Sequence, residues 1–284
     1  EGPPMRDIML QIDTYAEPLP PAAIDQAVGF ARALDAELTG LATHIDIKVP
    51  DNWLAERLLH VNDMARAEEA KSLASGEASL ALLHEHGKDK AVTTHGVIVR
   101  PKLHSVGPCV AQHARTRDLS LVCVGDRMDS QRSVAEDVIF GSGQPVVVFH
   151  PERAPLPVNE LVDVCIAWDG SRSSARAAAS AMPLLRRAKA VQVLTIVGEK
   201  PSATSGLGRE LVRHLRMHGV TAETNELDGR GRSIGASIDA YVEECAPQLM
   251  IMGAYGGSRP KEFVLGGATE HVLNRPHIPI LLAH

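Results

Sequence analysis

Residues 249–284 read LMIMGAYGGSRPKEFVLGGATEHVLNRPHIPILLAH, and this stretch predicts more of the fold than any other part of the chain. Its first four residues, Leu249 to Met252, are an unbroken apolar run, which is typical of a strand buried on both faces of a sheet. A helix is expected to begin at the glycine pair 266–267, because the apolar residues after that pair lie near one face of a helix. The stretch is therefore interpreted as a strand, a glycine turn, a loop, a glycine pair and a helix.

The two ends of this loop predict a phosphate-binding site. Gly253 ends the strand, and a glycine at that point lets a ligand approach the backbone closely. The helix after the loop presents unpaired N–H groups and the positive end of its dipole at its first turn, and both favour a phosphate group. Strand, loop and helix together predict a cradle for phosphate.

The glycine spacing G-x2-G-x9-G, formed by Gly253, Gly256 and Gly266, resembles the nucleotide-binding signature of the universal stress protein family. Residues 270–273 (EHVL) and 279–282 (PILL) strengthen the likeness. The resemblance implies an α/β fold with open parallel, Rossmann-like sheets. It also implies a bound adenine nucleotide, ATP or ADP, with or without Mg²⁺.

One residue departs from the family pattern. The ATP-binding members usually carry Ser or Thr directly after the last glycine of the signature, and this chain has Gly267 there. Thr269 lies two residues further on, and its role as a replacement stays open. The resemblance therefore supports family membership more strongly than it supports ATP binding.

The resemblance also implies which residues hold the nucleotide. Ligands of open parallel sheets bind beyond the carboxyl ends of the strands, and the resemblance places Asp169, at the end of such a strand, near the adenosine end of the nucleotide. The alternative is a turn residue that caps the next helix, and the two roles are compatible. The end of the following strand, around Val197, is implied to line the adenine pocket. No catalytic residue and no metal ligand are assigned. The predicted cofactor-binding residues are Trp168, Asp169, Val197, Met252, Gly253, Gly256, Gly266, Gly267, Ala268 and Thr269.

Composition limits the classes of function. The formal net charge of −6 and the lack of a basic tract argue against nucleic acid as a partner. No apolar run reaches the roughly 18 residues of a membrane span, and no signal peptide is expected because residues 1–4 are polar. The four cysteines are scattered and form no C-x-x-C pair, which favours a reducing compartment such as the cytoplasm.

An internal repeat predicts two tandem domains of the same α/β type, residues 5–150 and residues 161–284. A segment with three prolines, residues 151–157, separates the copies, and the linker is placed at residues 151–160. Between the repeated segments, strands and helices alternate, which is typical of a parallel sheet with helices on both faces. The matched segments are 7–13 with 163–169, 121–125 with 249–253, and 145–150 with 279–284.

The repeat also predicts details of the packing. The last strands of the two copies, Pro145 to Phe149 and Pro279 to Ala283, are expected to pair, so that the chain forms an internal pseudo-dimer. Pairing would hide two apolar edge strands. A homodimer of the whole chain stays an open alternative. In the second copy, residues 173–187 are predicted to be one helix capped by Ser171 or Ser173, and residues 46–64 are interpreted as an insertion in the first copy.

The two copies differ where the nucleotide would bind. Anchored on the last strand, the first copy lacks six residues of the phosphate loop, and Met128 occupies the position of the second glycine. The first copy's Gly141 and Gly143 lie after the helix and are interpreted as a helix stop, while Asp13 is interpreted as structural. The sequence therefore predicts one nucleotide site in each chain, in the second copy.

Other motifs carry weaker signals. The segment 229–235 (GRGRSIG) predicts either an anion contact by Arg230 or Arg232, or a solvated loop with Ser233 as a helix cap, and the second interpretation is favoured. His84 and His86 flank a glutamate, but no zinc-binding spacing is present and no metal site is assigned.

Three functions are compatible with these patterns. The leading hypothesis is a cytosolic, nucleotide-binding regulatory protein of the stress response. It would hydrolyse ATP slowly at most, because no positioned base or metal carboxylate is evident beyond Asp169. The first alternative is an interaction module of the same fold that does not bind nucleotide, which the departure at Gly267 favours. The second alternative is a slow ATPase or an adenylate-handling enzyme.

Overall fold

The computed structural model of the chain describes residues 5–47, 61–125, 129–198, 201–254 and 267–284. Within these residues, ten strands form one sheet. Five strands come from each side of the proline-rich segment that follows residue 150. The strands are β1 (Asp7–Asp13), β2 (Glu37–Thr43), β3 (Thr94–Val99), β4 (Leu119–Cys123), β5 (Val146–Phe149), β6 (Asp163–Ala167), β7 (Ala190–Val197), β8 (Ala222–Asp228), β9 (Leu249–Gly253) and β10 (Ile280–Ala283).

Helices follow most of the strands and return the chain to the start of the next one, as parallel pairing requires. A short 3₁₀ helix covers Leu103–Ser105. The α-helices in the described ranges are α1 (Pro21–Ala33), α2 (Val61–Lys90), α3 (Val106–Ala114), α4 (Asp129–Gly141), α5 (Arg172–Ser180), α6 (Met182–Leu185), α7 (Arg209–Met217), α8 (Ile234–Cys245) and α9 (Gly267–Asn274).

The structure contradicts one sequence prediction about these elements, and another falls largely outside the described residues. The single helix predicted for residues 173–187 is wrong, because the structure divides it at Ala181 into α5 and α6. Pro183 lies in the first turn of α6, and proline lacks the N–H that a continuous helix would use there. The predicted insertion at residues 46–64 falls largely on residues 48–60, which lie outside the described residues.

The strand order is β3-β2-β1-β4-β5-β10-β9-β6-β7-β8, and neighbouring strands are parallel except at the centre of the sheet. There β5 and β10 pair antiparallel, with Val147 opposite Leu281. The predicted pairing of the two last strands is therefore confirmed, and so is the predicted α/β class with open parallel sheets. Each half contributes a parallel five-stranded portion to one continuous sheet.

The apolar core has two layers, one on each face of the sheet. Alternate residues of a strand point to opposite faces, so Val147 and Leu281 enter the first layer while Val148 and Leu282 enter the second. Helices α1, α2, α5 and α7 cover the first layer, and α3, α4, α8 and α9 cover the second. Both layers cross from one half of the chain to the other without interruption.

None of the helices in the described ranges is long and apolar enough to cross a membrane. The longest of them, α2, has 30 residues, and charged side chains such as Glu68, Lys71 and Glu85 are distributed along it.

The continuity of the core predicts that the two halves unfold together. Leu281→Ala removes a fully buried side chain within the antiparallel pair and should lower the free energy of unfolding by about 2–5 kcal/mol. Calorimetry should record one transition that moves to a lower temperature. Met217→Ala, at a side chain that is 77% exposed, serves as the control and should change stability by less than about 0.5 kcal/mol. Two separate transitions in the parent protein would contradict a shared core.

Candidate functional site

A cavity of about 190 Å³ opens at the carboxyl edge of the second half of the sheet. The chain runs from β6 outward to β7 and β8, and then returns to the other side of β6 as β9. The strand order thus reverses between β6 and β9, and ligands of open parallel sheets bind at such a switch point. The residues that line the cavity are Ala167, Trp168, Asp169, Ser174, Leu194, Ile196, Ala203, Ile234, Ile238, Met252, Gly253, Gly267, Ala268 and Thr269.

Seven of the ten predicted cofactor-binding residues line this cavity, namely Trp168, Asp169, Met252, Gly253, Gly267, Ala268 and Thr269. Gly256 and Gly266 lie outside the described residues. The tenth, Val197, is not in the cavity lining. Leu194 and Ile196 line it instead, because they share one face of β7 and Val197 lies on the other face.

Asp169 follows β6, makes the turn contact that the sequence allows, and lies in the cavity lining. Its carboxylate Oδ1 accepts a hydrogen bond of 3.0 Å from the backbone N–H of Ser171. Ser171 in turn caps α5, and its hydroxyl accepts a hydrogen bond of 3.2 Å from the N–H of Ser174. Asp169 therefore fixes the turn into α5 and also contributes an acidic group to the wall of the cavity.

Gly253 is required by the packing of the protein itself. A Cβ atom at this position would lie 2.4 Å from the backbone nitrogen of Ser174 and 2.5 Å from the carbonyl carbon of Ser173. The first turn of α5 therefore presses directly against the end of β9. The glycine pattern predicts the approach of a ligand at this position, and the structure adds a second reason for the glycine, which is the approach of a helix.

The start of α9 forms the opposite end of the cavity. Gly267 is the first residue of α9 and is exposed, while Thr269 in the same turn is buried. Among the described atoms, nothing lies within 4 Å of the position that a Cβ atom on Gly267 would occupy. The first turn of a helix offers unpaired N–H groups, so this end of the cavity suits an anionic group.

The other end of the cavity is apolar. Leu194 and Ile196 of β7, Met252 of β9, and Ile234 and Ile238 of α8 all contribute to its wall. Sequence reasoning missed the two isoleucines of α8, although their spacing of four residues directly after the helix cap Ser233 is a signal for one helical face. The cavity therefore has an apolar wall at one end and a helix N-terminus at the other.

The structure of the glycine- and arginine-rich segment 229–235 agrees with the favoured prediction, a loop with Ser233 as a helix cap. Ser233 caps α8, and its hydroxyl accepts a hydrogen bond of 3.2 Å from the N–H of Ala236. The guanidinium of Arg230 donates to the carboxylate of Asp228, with Nη2 and Oδ2 separated by 2.7 Å. Hydrogen bonds from the side chain and from the backbone N–H of Arg230 lower the pKa of Asp228 to about 2. The charge of Arg230 is thus paired within the loop.

Two glutamine side chains make hydrogen bonds in the corresponding region of the first half. Gln131 of α4 is buried, and its carbonyl Oε1 accepts a hydrogen bond of 2.7 Å from the backbone N–H of Gly125, which follows β4. Gln11 donates a hydrogen bond of 2.7 Å to the buried carboxylate of Asp13. These polar groups lie in the region that corresponds to the cavity of the second half.

Burial raises the pKa of Asp13 from its ordinary value near 3.8 to about 6, although hydrogen bonds from Gln11 and Gln131 oppose the rise. The glycines after α4 behave as a helix stop, as predicted. The helix ends at Gly141, and Gly143 has a φ angle of +72°, which glycine adopts without strain. Met128 lies outside the described residues.

Within the described ranges, no group of three or more His, Cys, Asp or Glu side chains could hold a metal ion. His84 and His86 contact different partners. The Nδ1 atom of His84 lies 2.8 Å from the hydroxyl of Thr94, and Nδ1 of His86 lies 3.1 Å from the carboxylate of Asp25.

Comparison with known proteins points to one family. Residues 163–284 match the model of the universal stress protein family. A universal stress protein from Synechocystis is 29% identical over 134 residues, which cover 45% of this chain and 44% of that protein. The chain thus spans less than half the length of this relative.

Solved structures extend the likeness of fold to both halves. A universal stress protein from Archaeoglobus fulgidus matches with a TM-score of 0.68 at 15% identity, over 98% of this chain and 96% of the other. A Pseudomonas aeruginosa protein described as functionally unknown matches with a TM-score of 0.53 at 12% identity, over 97% and 92% of the two chains. At these identities the matches show a shared fold.

The buried carboxylate of Asp13 predicts a dependence of stability on pH. The pKa of Asp13 is raised in the folded state, so the folded protein binds this proton more tightly than the unfolded chain does. The protonated carboxyl group therefore contributes stability at low pH, and this contribution is lost as the pH rises through about 6. A rise of the pKa from 3.8 to about 6 corresponds to about 3 kcal/mol. Asp13→Asn should therefore gain stability relative to the parent by about this amount between pH 4 and pH 8.

Urea unfolding of both proteins at several pH values measures this difference, in which the contributions of all other titrating groups cancel. Parallel curves of unfolding free energy against pH would show that Asp13 has the same pKa in the folded and unfolded states.

Proposed function

Because residues 163–284 belong to the universal stress protein family, we propose that the chain is a tandem universal stress protein that binds ATP or ADP in the cavity of its second half. It acts in the cytoplasm as a regulatory protein of the stress response. Residues 161–284 form the nucleotide-binding domain, and residues 5–150 form a second domain of the same type with a degenerate site.

The observation that carries this proposal is the polarity of the cavity. Its apolar end, formed by β7 and α8, suits the flat and largely apolar face of a purine base. Its other end is the first turn of α9, where backbone N–H groups and the helix dipole favour the phosphates. Asp169 also lines the cavity, and its carboxylate can accept hydrogen bonds from the hydroxyl groups of a ribose.

The residues of the cavity wall are the reason why we propose no robust catalysis. Asp169 is acidic, but no Lys, Arg or His is among the described residues that line the cavity. Fast phosphoryl transfer usually requires a positioned cation and a metal carboxylate beside the transferred group. We therefore propose that the protein acts by occupancy, in which a bound nucleotide changes the surface around the phosphate loop.

The second candidate is an interaction module that does not bind nucleotide. Gly267 favours it, because a glycine supplies no hydroxyl where ATP-binding relatives usually have one. The two candidates differ in one measurable property, which is the binding of nucleotide to the purified protein.

Titration with ATP tests the proposal directly. Trp168 lines the cavity, and the chain has one other tryptophan, Trp53. In the Trp53→Phe protein, ATP·Mg²⁺ and ADP should change the fluorescence of Trp168, and calorimetry should give one site in each chain. One site is expected because Gln131 already occupies the N–H of Gly125 in the first half.

Two equivalent sites in the calorimetric titration would contradict the prediction that the first half has no nucleotide site. If neither ATP nor ADP binds at millimolar concentration, the interaction module becomes the better supported function.

A matched pair of substitutions tests the position of the phosphates. Gly267→Asp and Gly267→Asn add side chains of the same size at an exposed position where the described atoms leave room. The Asp variant places a negative charge at the first turn of α9, so it should stabilise the helix by about 0.3–1 kcal/mol while it weakens ATP binding at least tenfold. The Asn variant should change the dissociation constant by less than about threefold.

Melting temperatures and dissociation constants of the two variants give both quantities. Equal losses of affinity would mean that bulk at residue 267, and not charge, blocks the ligand, and unchanged affinity in both would place the phosphates elsewhere.

A further inference from the structure

The position of α9 depends on contacts outside the helix. It has eight residues, and glycine, threonine and asparagine are among them, all of which are weak helix formers. A helix of this length is marginal by itself in water. Its buried side chains, Val272 and Leu273, hold it against the second core layer. Apolar burial is non-directional, so it does not by itself fix how far α9 lies along its axis or how it is rotated.

Directional contacts with other helices supply this constraint. Arg132 of α4 donates a hydrogen bond to the side-chain carbonyl of Asn274, the last residue of α9, and another contact joins α9 to α8. The imidazole Nε2 of His271, on α9, lies 2.8 Å from the carboxylate Oδ2 of Asp239, on α8. The two side chains are 40% and 33% exposed, so the contact lies at the border between core and solvent. A hydrogen bond to a carboxylate is stronger than one between neutral groups.

The imidazole is also held by shape. A Cβ atom on Gly235 would lie 2.4 Å from Cγ of His271 and 2.6 Å from its Nδ1. The ring therefore occupies the space that every other residue type at position 235 would fill with its side chain. Gly235 and Asp239 are one helical turn apart on α8, and together they form a socket for His271.

This socket lies on the same two turns of α8 that build the cavity wall. Ile234 and Ile238 line the cavity, and each immediately precedes one of the two socket residues. On α9, Thr269 lines the cavity two residues before His271. The contact therefore joins the helix of the apolar wall to the helix whose first turn lines the cavity, although neither His271 nor Asp239 is among the residues that line the cavity.

We propose that His271 and Asp239 are positioning residues for the nucleotide site, which hold the first turn of α9 at the distance from α8 that a bound nucleotide requires. This inference rests on the proposed function and adds to it a determinant of affinity that does not touch the ligand. Without the contact, α9 occupies several positions. The apparent dissociation constant then rises in inverse proportion to the fraction of molecules in the competent one.

The test uses the full chain and five variants, one of which is the double variant His271→Ala/Asp239→Ala. His271→Ala and Asp239→Ala each remove the contact, and His271→Gln keeps an amide N–H near the position of Nε2. His277→Ala, at an exposed histidine in the turn after α9, is the matched control. Hydrogen exchange of the amides of residues 267–274 is measured without ligand, and the dissociation constant for ATP·Mg²⁺ is measured by calorimetry.

His271→Ala should speed exchange in α9 and weaken ATP binding about three- to tenfold, which is the factor for a hydrogen bond of ordinary net strength. Asp239→Ala should do the same, and the double variant should be no worse than either single variant, because both remove one contact. His271→Gln should recover most of the affinity, and His277→Ala should match the parent.

Unchanged exchange of the α9 amides in His271→Ala overturns the inference whether or not the protein binds nucleotide. Faster exchange or a lower melting temperature with an unchanged dissociation constant also overturns it, because the pair would then be merely structural. Failure of the parent protein to bind ATP would instead refute the proposed function, and the exchange measurement would still decide whether this pair holds α9.

Discussion

The antiparallel pairing of β5 with β10 is the constraint on which the rest of the structure depends. Both strands have four residues, all buried, and either one at the edge of a sheet would expose unpaired backbone groups beside apolar side chains. Their pairing joins two parallel portions into one sheet and two sets of helices into continuous layers. Because the pairing is antiparallel, the carboxyl edges of the two halves face opposite directions, so the second-half cavity and its first-half counterpart lie on opposite edges of the molecule.

This arrangement allows the two halves to diverge at their carboxyl edges while the core that they share stays intact. In the second half, the ends of β6, β7 and β9 surround open space. In the first half, Gln131 bonds the glycine N–H that follows β4, and Asp13 is enclosed among amide side chains. A buried carboxylate with a raised pKa is unfavourable at neutral pH. Such a cost is tolerable where the shared core supplies the stability.

The sequence contained enough information for the strands and their pairing, because buried parallel strands are continuous apolar runs and the repeat shows them twice. It contained less about the site. Adjacent residues of β7 lie on opposite faces of the sheet, so a prediction of the cavity lining must be correct to a single residue. Ile196 lines the cavity and Val197 does not. The cavity residues on α8 come from a distant part of the chain, and their contact with β7 and β9 is a property of the fold. The break at Pro183 was visible in the sequence, but the apolar residues on both sides favoured a single helix. The domain boundaries and the roles of Gly256 and Gly266 stay predictions.

Under the proposed function, the interactions at α9 make Gly267 compatible with nucleotide binding. A serine hydroxyl at this position would add one hydrogen bond to a phosphate, and a hydrogen bond to a charged group contributes about 1.5–3 kcal/mol. The backbone N–H groups of the first turn and the helix dipole are independent of that side chain. They act only if the turn faces the ligand at the correct distance. Under that proposal, a glycine at this position lowers affinity without removing the site, and recognition depends more on the contacts that place α9. In this chain those contacts include the buried Val272 and Leu273, the hydrogen bond from Arg132 to Asn274, and the socket that Gly235 and Asp239 form for His271.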